Sequence, residues 1–94
     1  MRKVLEERLI RFSVSIIRIC KNLNNNEIEK HLSGQLLRSS SSTALNYGEA
    51  QAAESRKDFI HKISIVLKEL RESNINLQII LDSGLSPSRE LLHH

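Results

Sequence analysis

The 94-residue sequence is poor in residues that cross-link the chain, turn it tightly or stack on bases. Its one cysteine excludes an internal disulfide and a zinc knuckle, and fits a reducing compartment. Three glycines and one proline disfavour β-sandwiches, barrels and glycine-rich phosphate loops. No apolar run approaches the roughly 18 residues that suggest a membrane span, and Glu6 and Glu7 replace an apolar signal core. We expect a single cytoplasmic domain over residues 1–94, without a membrane segment.

The charge is unevenly distributed along the chain. The formal net charge is +3, but residues 1–24 contain six basic and two acidic residues, whereas residues 25–54 contain two basic and four acidic ones. The basic excess marks the first segment as a region where an anion could dock. The alternative is an ordinary solvated helix face.

The first segment has the periodicity of an amphipathic helix, which we predict over residues 2–22. Asn22 and the asparagines that follow it favour an end of this helix near residue 22. The apolar residues that recur every three or four positions are Leu5, Leu9, Phe12, Ile16, Ile19 and Leu23.

A second helix is predicted over 26–51, with Asn26 as its cap and Glu29 reaching back toward it. The serine-rich run 39–43 could be a flexible linker, or it could supply small side chains where helix axes approach closely. We favour the helix, because periodic leucines precede the run and no glycine or proline directly follows it.

A third helix is predicted over 55–82, capped by Ser55 and stopped by Gly84. Its apolar seam consists of Phe59, Ile63, Val66, Leu70, Leu77 and Leu81. We expect this seam to pack directly against that of the first helix, with the second helix alongside. Pro87 begins a partial fourth helix over 87–94. The predicted fold is therefore an all-α, antiparallel up-down four-helix bundle with a truncated fourth helix. Either the native chain continues past His94, or partner subunits complete the bundle.

No constellation of catalytic residues is recognisable. Asp58 and His61 share a helix face, as do Glu27 and His31, but the paired Glu-x-x-His pattern of di-iron bundles is absent. Cys20 is predicted to be a small apolar packing residue. We expect no enzymatic activity, no cofactor and no metal.

Nucleic acid is a better candidate ligand than a metal ion or an enzyme substrate. Arg8, Arg11 and Arg18 fall within about 80° of one another around the first helix and span about 15 Å, a row that could contact successive phosphates of RNA or DNA. Three aromatic residues in the whole chain provide no stacking platform, so binding would rest on backbone charge. The alternative is that these arginines pair with glutamates of a neighbouring helix.

A second apolar line on the first helix predicts self-association. Ile10 and Ile17 lie seven residues apart, away from both the main seam and the arginines. A monomeric bundle does not need this stripe, and exposed apolar surface often marks an interface. We therefore expect a homo-oligomer.

The residues from Gln35 to Ala50 resemble the signature helix of the four-helix-bundle family of 23S rRNA intervening-sequence proteins, and the resemblance extends over about residues 5–82. Ala50 stands where the family usually has glycine. The polar positions of the signature are matched by Arg38, Ser42, Asn46 and Glu49.

The resemblance implies a bacterial, cytosolic, ring-like homopentamer without enzymatic activity. Related accessory proteins of diversity-generating retroelements work with a reverse transcriptase and nucleic acid, which makes both candidate partners. The signature polar strip has two interpretations: Arg38 or Asn46 bonds to Glu69 or Glu72 and fixes helix register, or the strip lines a ligand surface. We expect a scaffold or binding module; the alternative is a protein-interaction module that does not bind nucleic acid.

Overall fold

The computed structural model describes residues 2–85, which form three α-helices and, over that range, no β-strand. Helix α1 spans Arg2–Lys21, α2 spans Glu27–Gln51 and α3 spans Arg56–Asp82. The predicted all-α class is confirmed. The expected fourth helix over 87–94 lies outside the described residues. None of the helices over residues 2–85 combines the length and hydropathy that crossing a bilayer requires.

Side chains fix the start of α2, as the sequence predicts. Asn26 Oδ1 accepts a hydrogen bond from the Glu29 backbone N–H at 2.9 Å. The buried Glu29 carboxylate accepts in return from Asn26 Nδ2 at 2.9 Å and from the Asn24 backbone N–H. These bonds, that from Asn26 first, lower the pKa of Glu29 and outweigh the burial that would raise it. The carboxylate thus ties the α1–α2 turn to the first turn of α2.

The predicted ends of α3 are also confirmed. Ser55 Oγ accepts from the Asp58 N–H at 3.0 Å, which satisfies one free donor of the first turn. Gly84 has φ of 79°, the left-handed conformation that commonly terminates helices and that glycine adopts without steric cost.

Helix α2 lies between the other two helices. It packs against both α1 and α3, whereas no Cα of α1 comes within 8 Å of a Cα of α3 over the described residues. The expectation that the first and third helices pack directly against each other is therefore wrong. The two helices stay apart because α2 lies between them. Small hydroxyl side chains on two faces of α2 let a neighbouring helix pack closely on either side.

Both pairs of neighbouring helices are antiparallel. Along α1, the polar groups opposite α2 step from Glu6 to Ser13, and their partners in α2 step back from Gly48 to Ser40. Between α2 and α3, Ser39 lies opposite Ser73 and Glu49 lies opposite Lys62. Because a helix rises about 1.5 Å per residue, these pairs fix which residues of neighbouring helices lie side by side along the bundle axis.

The core consists of two apolar clusters separated by a layer of hydroxyl groups. One cluster surrounds Ile16, Ile19, Leu36 and Ile80, and the other surrounds Leu9, Tyr47 and Val66. Each cluster thus joins apolar side chains of all three helices, with a residue of α2 in each, although no Cα of α1 lies within 8 Å of a Cα of α3 over the described residues. Between the clusters lie the buried hydroxyl residues Ser39, Ser40, Thr43 and Ser73.

Candidate functional site

The three arginines predicted to contact phosphates are all exposed on α1. Within residues 3–85 the one ion pair joins Lys62 Nζ to Glu49 Oε2 at 3.2 Å. In that part of the chain, Arg8, Arg11 and Arg18 therefore have no carboxylate partner, and the alternative that neighbouring helices neutralise them finds no support there. Their guanidinium groups are available to an anion from solution.

The second apolar line of α1 is exposed as well. Ile10 is 49% exposed and Ile17 is 44% exposed. Val14, which the sequence analysis did not include, lies between them in the helix and is 39% exposed. Its position, four residues after Ile10 and three before Ile17, is the signal that could have identified it. These three residues form the α1 flank.

Where α1 meets α2, the flank continues into an open groove, called here the α1–α2 groove. Ile17, Cys20 and Leu37 supply its apolar wall. Lys21 and Lys30 stand on its rim, and Gly34 leaves it unobstructed. Burial raises the pKa of the Cys20 thiol, only partly offset by a hydrogen bond involving Ser33, so the group remains a thiol near neutral pH. Cys20 packs against the apolar cluster around Ile16, consistent with a packing role.

The signature polar strip lies on the opposite side of α2, toward α3. Asn46 Nδ2 donates to the Ser42 carbonyl at 2.8 Å, within its own helix. Glu49 forms the ion pair with Lys62. Arg38 is exposed and lines a second groove, the α2–α3 groove, together with Gln35, Glu72, Ile75 and Asn76.

The prediction that Arg38 or Asn46 bonds to Glu69 or Glu72 is wrong for the described residues, whose one ion pair is Lys62–Glu49. An exposed guanidinium keeps its water and does not need a buried carboxylate. Hydroxyl groups link the helices instead: Ser13 Oγ donates to the Ser40 carbonyl at 3.0 Å, and Ser73 Oγ donates to Ser39 Oγ at 2.9 Å.

These contacts explain the serine run. Consecutive helical residues are about 100° apart around the axis, so Ser39 and Ser40 face different neighbours. The hydroxyls bond to backbone carbonyls or to each other, as Thr43 Oγ1 does to the Ser40 carbonyl at 2.6 Å. No group of three His, Cys, Asp or Glu residues in the described chain is arranged to hold a metal ion. The features that remain available to a ligand are surfaces: the arginine row, the α1 flank and the two grooves.

A small protein whose described residues form three packed α-helices belongs to the class of helical bundles. More particularly, the chain belongs to the family of 23S rRNA-intervening sequence proteins, whose model matches residues 4–93. The family resemblance inferred from α2 is thereby confirmed. The family description names no enzymatic activity.

The fold is shared with a solved structure, a protein of unknown function from the S23 ribosomal protein family of Bacteroides thetaiotaomicron. The two chains are 33% identical and superpose with a TM-score of 0.86. The match covers 99% of this chain and 84% of the other. None of the curated proteins matches the chain.

Proposed function

We propose that this protein is a non-enzymatic, homo-oligomeric scaffold that binds RNA or DNA along α1. The observation that carries the nucleic-acid part is the row formed by Arg8, Arg11 and Arg18, exposed and without a carboxylate partner in the described residues. A row of this kind binds the sugar–phosphate backbone and does not read bases. The family supports a bacterial, cytoplasmic setting, and a reverse transcriptase is a candidate protein partner.

The complete bundle in this proposal has four helices. The line of Ile63, Leu70 and Leu77 on α3 is only partly buried, and next to it Ile60 and Leu67 are 55% and 58% exposed. At about 100° per residue these two positions lie about 120–140° around the helix from Ser73, which contacts α2. A fourth helix that includes residues 87–94 would cover this apolar surface.

The proposed contact between subunits of the homo-oligomer is formed by the α1 flank. Three apolar side chains in a line, all at least 39% exposed, are more apolar surface than a monomer of this size needs to present. The family resemblance makes the proposed assembly a pentamer.

Titration of single-stranded RNA and duplex DNA at about 50 and 200 mM salt tests the nucleic-acid part. Three phosphate contacts should give a log–log salt slope of about −2 to −3. The variant R8Q/R11Q/R18Q should lose this binding. Its matched control is K57Q/K68Q/R71Q, which removes the same charge from exposed positions of α3.

Equal losses in both triple variants would mean that net charge alone attracts the nucleic acid, and would reject the α1 site. The second candidate function is a protein-interaction module, favoured by the exposed apolar side chains on α1 and α3. An absence of any binding at about 50 mM salt would select that function over the first.

A further inference from the structure

The α1–α2 groove has the size and the lining of a small-molecule site. Its volume is about 380 Å³, within the range of about 300–1,000 Å³ that is usual for ligand pockets. Its surface is mostly apolar, with Ile17, Cys20, Leu23 and Leu37 among the lining residues. Along α2 it extends from Lys30 to Leu37, a length of about 10 Å. These dimensions suit a ligand with a short apolar body.

Gly34 keeps the groove open on the α2 side. Nothing lies within 4 Å of the position that a Cβ would occupy at this residue. Glycine weakens a helix interior relative to alanine, and no close approach of another atom requires it here. A side chain at position 34 would extend from the lining into the empty space beside it.

The charged residues of the groove are both cations. Lys21 and Lys30 are exposed, and neither makes an ion pair within residues 3–85. In the register where Ser13 lies opposite Ser40, the two lysines differ in height by about two residues, or about 3 Å. None of the ten residues that line the groove, all in the described chain, is acidic. Two long side chains at the same height can therefore converge on one anion.

The negative groups closest to this end of the groove are already hydrogen-bonded. Glu29 is buried, and its carboxylate accepts hydrogen bonds from the α1–α2 turn. The carbonyls of Ile19 and Cys20, near the end of α1, accept from backbone N–H groups of the same turn. Glu27 is exposed and does not line the groove. The rim is therefore positive where the two lysines stand.

We propose that the α1–α2 groove binds a small amphipathic anion, an aliphatic carboxylate of medium chain length. Its carboxylate lies between Lys21 and Lys30, and its chain extends past Gly34 toward Leu37. Burial of the chain supplies affinity, and the charged hydrogen bonds fix its direction. A peptide fits less well, because its amide groups would lie unbonded against the apolar wall.

This ligand site goes beyond the proposed nucleic-acid and subunit contacts and depends on neither. The arginine row contributes no lining residue, and Ile17 is the one residue that the groove shares with the α1 flank.

Calorimetric titration of the full chain with hexanoate, octanoate and decanoate, each below its micelle concentration, tests the site. Affinity should rise by up to about tenfold with each added pair of methylene groups, because each methylene that leaves water strengthens binding. Octanamide has the same chain length and no charge. It should bind about tenfold more weakly than octanoate, because it forms no charge-assisted bond with the lysines.

Two variants separate the apolar part of the site from the charged part. Gly34→Leu should fill the groove and abolish octanoate binding, and circular dichroism should show no loss of helix, since leucine forms helices better than glycine. Its control is Ser41→Leu, exposed about two turns further along α2 and outside the groove, which should bind octanoate normally.

The variant K21Q/K30Q should weaken octanoate binding by about tenfold and leave octanamide binding unchanged. Its control, K57Q/K68Q, removes the same charge from exposed positions of α3 and should change neither.

Cys20 reports occupancy of the groove in the unmodified chain. Its thiol lines the groove and is the one cysteine of the sequence. Octanoate should therefore slow its reaction with a thiol-specific reagent in proportion to the fraction of protein that is bound.

An absence of octanoate and decanoate binding would overturn the site, as would equal affinity for octanoate and octanamide. Octanoate binding that survives Gly34→Leu, or that leaves the reactivity of Cys20 unchanged, would instead assign the ligand to the exposed apolar side chains of α1 and α3 and would also overturn it. Each of these results leaves the proposed nucleic-acid binding and the proposed homo-oligomer standing, because neither depends on Gly34 or Lys30.

Discussion

Ser73 of α3 donates a hydrogen bond to Ser39 of α2 over 2.9 Å, and both side chains are buried, at 0% and 3% exposure. The Ser39 hydroxyl in turn donates a hydrogen bond to the Leu36 carbonyl at 3.3 Å. Paired hydroxyls satisfy their polar groups within the core and occupy little volume, so the two helix axes can approach closely. This contact lies at the middle of the interface between α2 and α3.

Replacing Ser73 by leucine should destabilise the protein by about 1–3 kcal/mol, because the larger side chain must push α2 and α3 apart. Ser73→Ala should cost less, about 1 kcal/mol, for the lost hydrogen bond. Urea unfolding at one fixed protein concentration measures both. The control is Ser64→Leu, at an exposed position of α3, where a change within about 0.5 kcal/mol is expected. Equal stability of Ser73→Leu and wild type would show that the interface is loose.

Arg38→Met should change the free energy of unfolding by no more than about 0.5 kcal/mol, since the side chain is exposed and makes no ion pair in the described residues. Ser39→Leu, one residue along the same helix, should be far more damaging because Ser39 is buried against Ser73. Parallel urea titrations compare the two variants. A severe loss of stability in Arg38→Met would restore the role in helix register that the sequence analysis considered.

Acid should weaken the α1–α2 turn through Glu29. The pKa of this carboxyl is lowered in the folded state, chiefly by the hydrogen bond from Asn26. The unfolded chain therefore takes up the proton first as pH falls, and the stabilisation is present above the ordinary carboxyl pKa of 4.5 and lost below it.

The test compares wild type with Glu29→Gln by urea unfolding between pH 7 and pH 3. Glutamine does not titrate, so the difference in unfolding free energy should be largest near pH 7 and shrink below about pH 4.5. If the difference in unfolding free energy stayed constant from pH 7 to pH 3, the effect of Glu29→Gln would come from the shape of the side chain and not from its charge.

Substituting the α1 flank should dissociate the assembly without unfolding it. In I10E/I17E, two exposed apolar side chains become charged, so burying them between subunits becomes costly while the isolated subunit is little affected. Light scattering should give a lower mass with unchanged circular dichroism. Val4→Glu is the control, since Val4 is 57% exposed on α1 but lies about 120° around the helix from Ile10. Dissociation by Val4→Glu as well would indicate a contact on another face.

Helix positions and caps could be predicted from the sequence because they depend on local interactions. Asn26 with Glu29, and Ser55 with Asp58, are neighbours along the chain, and their bonds form as soon as the helix does. The same is true of the serine run, whose helical periodicity continues from the leucines before it.

The order of the helices could not be predicted in the same way. A strong apolar seam shows which face of a helix is buried, but not which helix covers it. Leu9 and Val66 are both buried, as their seams predict, yet they meet around Tyr47 of α2 and not through direct packing of α1 on α3. The weaker apolar pattern of α2 concealed its central position, because close packing there relies on small hydroxyl side chains.

The candidate surfaces were predicted only in part. The exposure of Ile10 and Ile17 could be anticipated because they lie off the seam. The grooves could not, since each joins residues of two helices whose relative height is set by contacts such as Ser39–Ser73. The predicted bond between Arg38 and a carboxylate of α3 was wrong because the signature pattern that marks Arg38 contains no information about burial, and the side chain is exposed.

The mass of the full chain in solution tests the proposed assembly most directly. Native mass spectrometry and light scattering across a range of micromolar concentrations should find a single species at a multiple of the 10.8 kDa subunit mass, five-fold for the proposed pentamer. A mass of 10.8 kDa at every concentration would contradict the proposal that this protein acts as a homo-oligomer.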